Sequence, residues 1–264
     1  MAIDYVIDYD CVPKRELTTD EILDRIKGAE RAQAIIQLFR DGGDSRPPSE
    51  MSFEFTRSTP QGEETREFSV QDLLDKYEAL RPYEHHCADC PVNIRKRPFG
   101  CIGFIQYPIS KTAEKWLLDR LPTPDDALVL LLLSQGVQDF QYDGATVKPL
   151  RAMDGTYFEE STPDSRRLGD FWLDSDQLFE MIFAVGHINP NHAALLLLFL
   201  HAVRRDIEAG DIMEITREGQ QAHLKYPFLL SEDGITERTT RELIEFLRAL
   251  YTGWKLQLRV IIDA

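Results

Sequence analysis

Residues 84–101 read EHHCADCPVNIRKRPFGC and hold three of the chain's four cysteines and two of its six histidines. Thiolate sulfur and imidazole nitrogen are the donors zinc prefers, and structural zinc takes four of them in a tetrahedron. Cys87 and Cys90 stand two residues apart, a spacing that lets one tight turn offer two thiolates to the same ion. Cys101 follows after the loop PVNIRKRPFG, and Cys11 is the remaining thiol, so the expected ligand set is Cys11, Cys87, Cys90 and Cys101. His85 and His86 compete with Cys11 for the fourth place, but adjacent side chains tend to point apart, which favours the cysteine. Four thiolates leave a zinc centre with excess negative charge. Arg95, Lys96 and Arg97 on the intervening loop offset that charge, or else form an ordinary solvated turn.

Other chemistries use the same residues. Cys90 is followed by Pro91, as cysteines are in some cluster-binding runs, so an iron–sulfur cluster is the alternative cofactor. A thioredoxin-like dithiol should follow a strand and open a helix, and Pro91 with the basic loop offers no helix start. The plainest alternative is that the cysteines are small buried hydrophobes.

These residues need elements to position them. Ile3, Tyr5, Ile7, Tyr9 and Cys11 alternate with Asp4, Val6, Asp8 and Asp10, which predicts a half-buried strand over 2–11 with Cys11 at its end on the apolar face. Cys101 opens a second strand, GCIGFIQY, so a metal would fasten two strands across a long irregular segment. Thr18 to Asp20 cap a helix that Gly42 and Gly43 end, with Gly28 weakening its middle. MSFEFTR and EETREFSV flank TPQG as a hairpin, and a short helix follows at QDLLDKYEAL. Ser110 caps a helix that Pro122 stops, and Thr123 to Asp126 start another with Pro124 in its first turn.

Downstream, the pattern predicts a helix near 176–185, with Ser175 or Asp176 as its cap, and a buried helix after Asn189-Pro190. Strands are expected at 211–217 and 221–226, then a helix through Tyr251 ending at Gly253, then a last strand carrying Trp254, Leu256, Leu258, Val260 and Ile262 on one face. Hairpins and isolated helices without regular βαβ alternation indicate an α+β fold, with a mixed or antiparallel sheet and packed helices. The expected division is an N-terminal lobe over 1–122 bearing the cysteine site and a C-terminal lobe over 123–264.

A net charge of −15 argues against general nucleic-acid or anionic-membrane binding, which draws on Lys and Arg. The start MAIDYVIDYD has neither the basic opening nor the apolar run of a secretory signal, and the runs at 128–133 and 193–200 are too short to span a bilayer. The chain therefore reads as cytoplasmic, where cysteines are more often thiols or metal ligands than disulfides. Its expected partners are a protein or a small molecule.

One stretch suggests an enzyme. VIDYDCV places Asp8-x-Asp10 after an apolar strand, LVLLLLS ends in Ser134, Lys148 lies downstream, and Gly169-Asp170 precedes Asp174. These residues, in this order, resemble the motifs of haloacid-dehalogenase-like phosphatases. The resemblance implies a magnesium-dependent phosphatase in which Asp8 attacks a phosphoryl group, Asp10 protonates the leaving oxygen, Lys148 holds charge, and Asp170 and Asp174 bind the metal. Asp4 on the same strand face as Asp8, and the missing βαβ units, point instead to a polar strand face. His187, His192, His201 and His223 are dispersed, and no Walker loop, GxGxxG or GxSxG pattern occurs. The leading expectation is a zinc-stabilised protein of binding or regulatory type with no assignable reaction.

Overall fold

The structure is a computed structural model that describes residues 2–59, 62–217 and 219–263. In chain order, the first elements are β1 (Ala2–Ile7), α1 (Val12–Glu16), α2 (Thr19–Asp41), β2 (Ser52–Thr59), β3 (Gly62–Ser69) and α3 (Val70–Glu78). Then come β4 (Ile102–Gln106), α4 (Lys111–Asp119), α5 (Ala127–Asp139), α6 (Lys148–Arg151), β5 (Ser165–Leu168), β6 (Phe171–Asp174) and α7 (Ser175–Phe183). The remainder is β7 (His187–Ile188), α8 (Pro190–Phe199), α9 (Ala209–Arg217), α10 (Gly219–Lys225), α11 (Arg238–Leu256) and β8 (Val260–Asp263). The fold is α+β, with an antiparallel sheet and packed helices. No helix among the described residues is long and apolar enough to cross a membrane.

The chain forms two compact units, residues 10–99 and residues 1–9 with 100–264. The expected division at 122/123 does not coincide with them, because β1 and β4 belong to the sheet that β8 completes. That sheet runs β4-β1-β8-β7, antiparallel throughout. As a central strand β1 is buried on both faces, Asp4 included, rather than half-buried. Tyr5 lies opposite Gly103 on β4, and its ring occupies the space where any Cβ at position 103 would sit. α11 packs over β1 and β4, setting Phe246 edge-on to Tyr5 at 5.2 Å between centroids and beside Phe183 at 5.0 Å.

In the unit of residues 10–99, Thr18 and Glu21 form a reciprocal capping box that starts α2. Gly28 is buried with Leu73 of α3 beside it. Ala32, Met51, Val70 and Leu73 form the core there, packed by Phe39, Phe53 and Phe68. β2 and β3 pair antiparallel as the expected hairpin, Ser52 opposite Ser69 and Thr59 opposite Gly62; Pro60 and Gln61 lie outside the described residues.

Several expectations are corrected. Residues 211–217 and 221–226 are helical: Ile215, Ala222 and Tyr226 are the buried positions, and the Trp254 indole donates to the Ile215 carbonyl at 2.9 Å. The final strand begins only at Val260, since Trp254 and Leu256 are in the last turn of α11. Gly253 does not end that helix; Gln257 does, in the left-handed conformation (φ 56°). Gly253 is needed where the chain doubles back, because a Cβ there would lie 2.9 Å from the Leu258 carbonyl oxygen. The start of α5 is set by Asp126, whose carboxylate accepts from the Thr123 N–H and hydroxyl, and Pro124 lies ahead of the helix.

Candidate thiol site

The cysteine segment folds around Cys87. Arg81–Cys87 forms a short 3-10 helix with proline in its first turn, so Cys87 arrives at a helix end whose carbonyls need donors. Its own carbonyl accepts from the Cys90 N–H at 3.3 Å and from the Asn93 side-chain amide at 2.7 Å. Asn93 in turn donates its N–H to the Cys90 carbonyl at 3.0 Å and accepts the Arg97 N–H at 3.2 Å, which winds the loop into consecutive turns. Val92 and Phe99 are buried and anchor it. Lys96 and Phe99 have φ of 50° and 55°, a region costly for residues with side chains. At Phe99 the turn aims the backbone N–H at the Cys87 sulfur, 3.3 Å away.

Cys11 reaches the same unit from the other side. It is half-buried and stands at the N-cap of α1, not at the end of β1, which stops at Ile7. α1 packs on the 3-10 helix, and the Tyr83 hydroxyl donates to Glu16 at 3.0 Å between them. Burial pushes the Cys87 thiol up; the Phe99 N–H opposes this, while Cys90, Cys11 and Glu84 push it further up. Cys87 is thus buried, Cys90 half-buried, and both line an open cleft of about 800 Å³ with His85, Asp89, Lys96 and Arg97.

Cys101 is buried in the other unit, just ahead of β4, with its carbonyl accepting the Ile7 N–H at 3.1 Å. The His85 and His86 rings sit 3.8 Å from each other, and both side chains are exposed. Among the described residues, no three His, Cys, Asp or Glu side chains are gathered closely enough to hold an ion. The structure therefore brings Cys11, Cys87 and Cys90 into one neighbourhood without assembling them into a ligand cage.

The phosphatase-like residues are occupied elsewhere. β1 pairs antiparallel on both sides, in contrast to the parallel sheet which that resemblance implies. Asp8 takes the Arg259 guanidinium at 2.6 Å, and Asp10 pairs with Arg15 on the surface at 3.3 Å. Lys148 donates to the Asp143 carbonyl at 2.6 Å, and Ser134 lies within α5. Gly169 and Asp170 make the two-residue turn between β5 and β6, a hairpin the sequence pattern did not reveal. Asp174, not Ser175 or Asp176, caps α7.

A second polar cluster, invisible in the sequence, lies in the core of the unit containing the sheet. Arg151 of α6 forks onto Glu114 of α4 at 2.6 and 3.1 Å, and reaches Asp176 of α7 at 2.6 Å and the Glu160 carbonyl at 2.9 Å. The Ser175 hydroxyl donates to Glu114 at 2.5 Å, and the guanidinium lies over the Phe158 ring. Burial would lower the Arg151 pKa, but its bonds to the two carboxylates outweigh that and raise it; burial also raises Asp176 despite Arg151. With Arg151, Glu114, Ser175 and Asp176 all buried, the cluster clamps α4, α6 and α7.

No protein-family model, curated protein or solved structure matches this chain.

Proposed function

We propose that the chain is a zinc-binding protein of binding or regulatory type, in which Cys11, Cys87 and Cys90 supply thiolates within the unit of residues 10–99. The observation that carries this reading is the packing of α1 on the 3-10 helix that ends in Cys87, which puts Cys11 beside a Cys-x-x-Cys turn from a distant part of the chain. The Phe99 N–H on the Cys87 sulfur supports it, because hydrogen bonds to ligand sulfur orient and stabilise thiolates around a metal. The partner that goes with this reading is a protein or a small molecule.

The test is the metal content and visible spectrum of chain purified without added metal. The expected result is close to one zinc per chain in a colourless protein, with zinc lowered in Cys11→Ser, Cys87→Ser and Cys90→Ser alike. Cys101→Ser examines the place that spacing gives the fourth cysteine. A brown protein containing iron would replace zinc with a cluster, and a metal-free, fully folded protein would overturn the reading.

A further inference from the structure

Beyond holding a metal, the Cys87–Cys90 turn has the geometry of a reversible modification site. The Cys90 N–H donates to the Cys87 carbonyl at 3.3 Å, closing a four-residue turn. Such turns hold their end Cα atoms within ~7 Å, and disulfides bridge Cα separations of roughly 4.4–6.8 Å. Both side chains line the open cleft, so a small oxidant reaches them, and Cys90 is the more exposed of the two.

We propose that Cys87 and Cys90 form a disulfide in response to hydrogen peroxide. Cys90 sulfur gives up its proton and attacks one peroxide oxygen; the O–O bond breaks, the departing hydroxide takes a proton and leaves as water, and Cys90 becomes a sulfenic acid. Cys87 sulfur then attacks Cys90 sulfur; the S–S bond forms, the S–O bond breaks, and the hydroxide leaves with the Cys87 proton as a second water. The sulfur pair gives up two electrons and the peroxide takes them; a dithiol reverses the step. The further consequence rests on the zinc reading: sulfur atoms joined to each other no longer bind the ion as thiolates, so oxidation releases it.

The experiment exposes the purified full chain to a graded series of hydrogen peroxide concentrations, with two readouts in the same samples. Non-reducing peptide mapping reads the sulfur chemistry, and a chromogenic chelator reads free zinc. The expected result is loss of two hydrogens from the peptide carrying Cys87 and Cys90, restored by dithiothreitol, with zinc appearing in step. Cys90→Ser and Cys90→Ala should both abolish the bridge, leaving Cys87 without its partner. Bridging of either residue to Cys11 or Cys101 instead, oxidation of both to sulfinic acids without a bridge, or survival of both thiols while Cys11 is oxidised would each overturn the proposal. A Cys87–Cys90 bridge in a chain that carried no zinc would sustain the modification site and refute the metal reading. Bound zinc with unbridged thiols would do the reverse.

Discussion

Replacing Arg151 with methionine keeps an unbranched apolar stem and removes all the donors, leaving Glu114 and Asp176 buried with 2 % and 1 % exposure and no countercharge. Removing one member of a buried ion cluster costs about 3–5 kcal/mol, because the orphaned charges keep their desolvation penalty. At ~2–4 °C per kcal/mol for a body of this size, the melting temperature of the unit holding the sheet should fall by roughly 6–20 °C. Urea unfolding followed by the fluorescence of Trp254, buried in α11, measures the loss. The sign of the pH response adds a second check. Burial already raises Asp176 in the parent, and without Arg151 only the more distant Lys148 charge opposes it, so the folded variant binds protons more tightly than the unfolded chain. Its deficit should therefore grow as pH rises above the unfolded carboxylate value and shrink on acidification. Converting Glu114 and Asp176 to leucine in the same chain should recover most of the loss, since a packed apolar replacement removes the orphaned charges. A deficit below ~1 kcal/mol, or one that grows on acidification, would refute the view that this cluster clamps α4, α6 and α7.

Other perturbations follow from single contacts. Burial raises the Glu180 pKa, but the Thr146 hydroxyl and the N–H groups of Thr146 and Gly144 outweigh it and hold the carboxyl low. Its stabilisation is present above the unfolded value of about 4.3 and is lost as pH falls through the folded one. Glu180→Gln should cost ~1–3 kcal/mol at neutral pH, with parent and variant converging in acid-unfolding curves. Gly103→Ala puts a methyl group into the Tyr5 ring and should cost ~1–3 kcal/mol in urea unfolding, partly recovered when Tyr5 is also made leucine. Thr18→Ala removes one side of the α2 capping box and should cost about 1 kcal/mol, read as a lower urea midpoint for the unit of residues 10–99.

What was legible in the sequence was local. Thr18 with Glu21, Ser69 and Ser110 cap helices where their spacing says they should, and Met51 to Arg57 pairs with Glu63 to Val70 because alternation and turn residues agree. Legibility failed where tertiary packing decides. IMEITR alternates well enough to pass for a strand, yet it folds as a helix that packs on α8, with Ile215 buried and its carbonyl accepting the Trp254 indole. Gly253 carries the composition of a helix terminator, whereas the need for it comes from Leu258 folding back, which no local pattern encodes. At the thiol site the Cys-x-x-Cys turn was visible, and so was Cys11. The histidine stacking, the strained Lys96 and Phe99, and the membership of Cys101 in the other unit all depend on how the chain returns to itself. The Arg151 cluster left no trace at all, since its members are scattered over 114–176 and each looks like an ordinary surface residue.

The place of β1 in its sheet has a consequence during synthesis. Both its hydrogen-bonding edges are filled by strands made after it, β4 at 102–106 and β8 at 260–263. Residues 10–99 can close their own contacts as soon as they leave the ribosome, while Ile3, Tyr5, Val6 and Ile7 must wait for nearly the whole chain. At ~5–20 residues per second, that is a delay of roughly ten seconds to a minute before both edges of this apolar strand are filled. A chaperone that shields Ile3 to Ile7 until β8 emerges would protect the step at which the sheet is most exposed to misassembly.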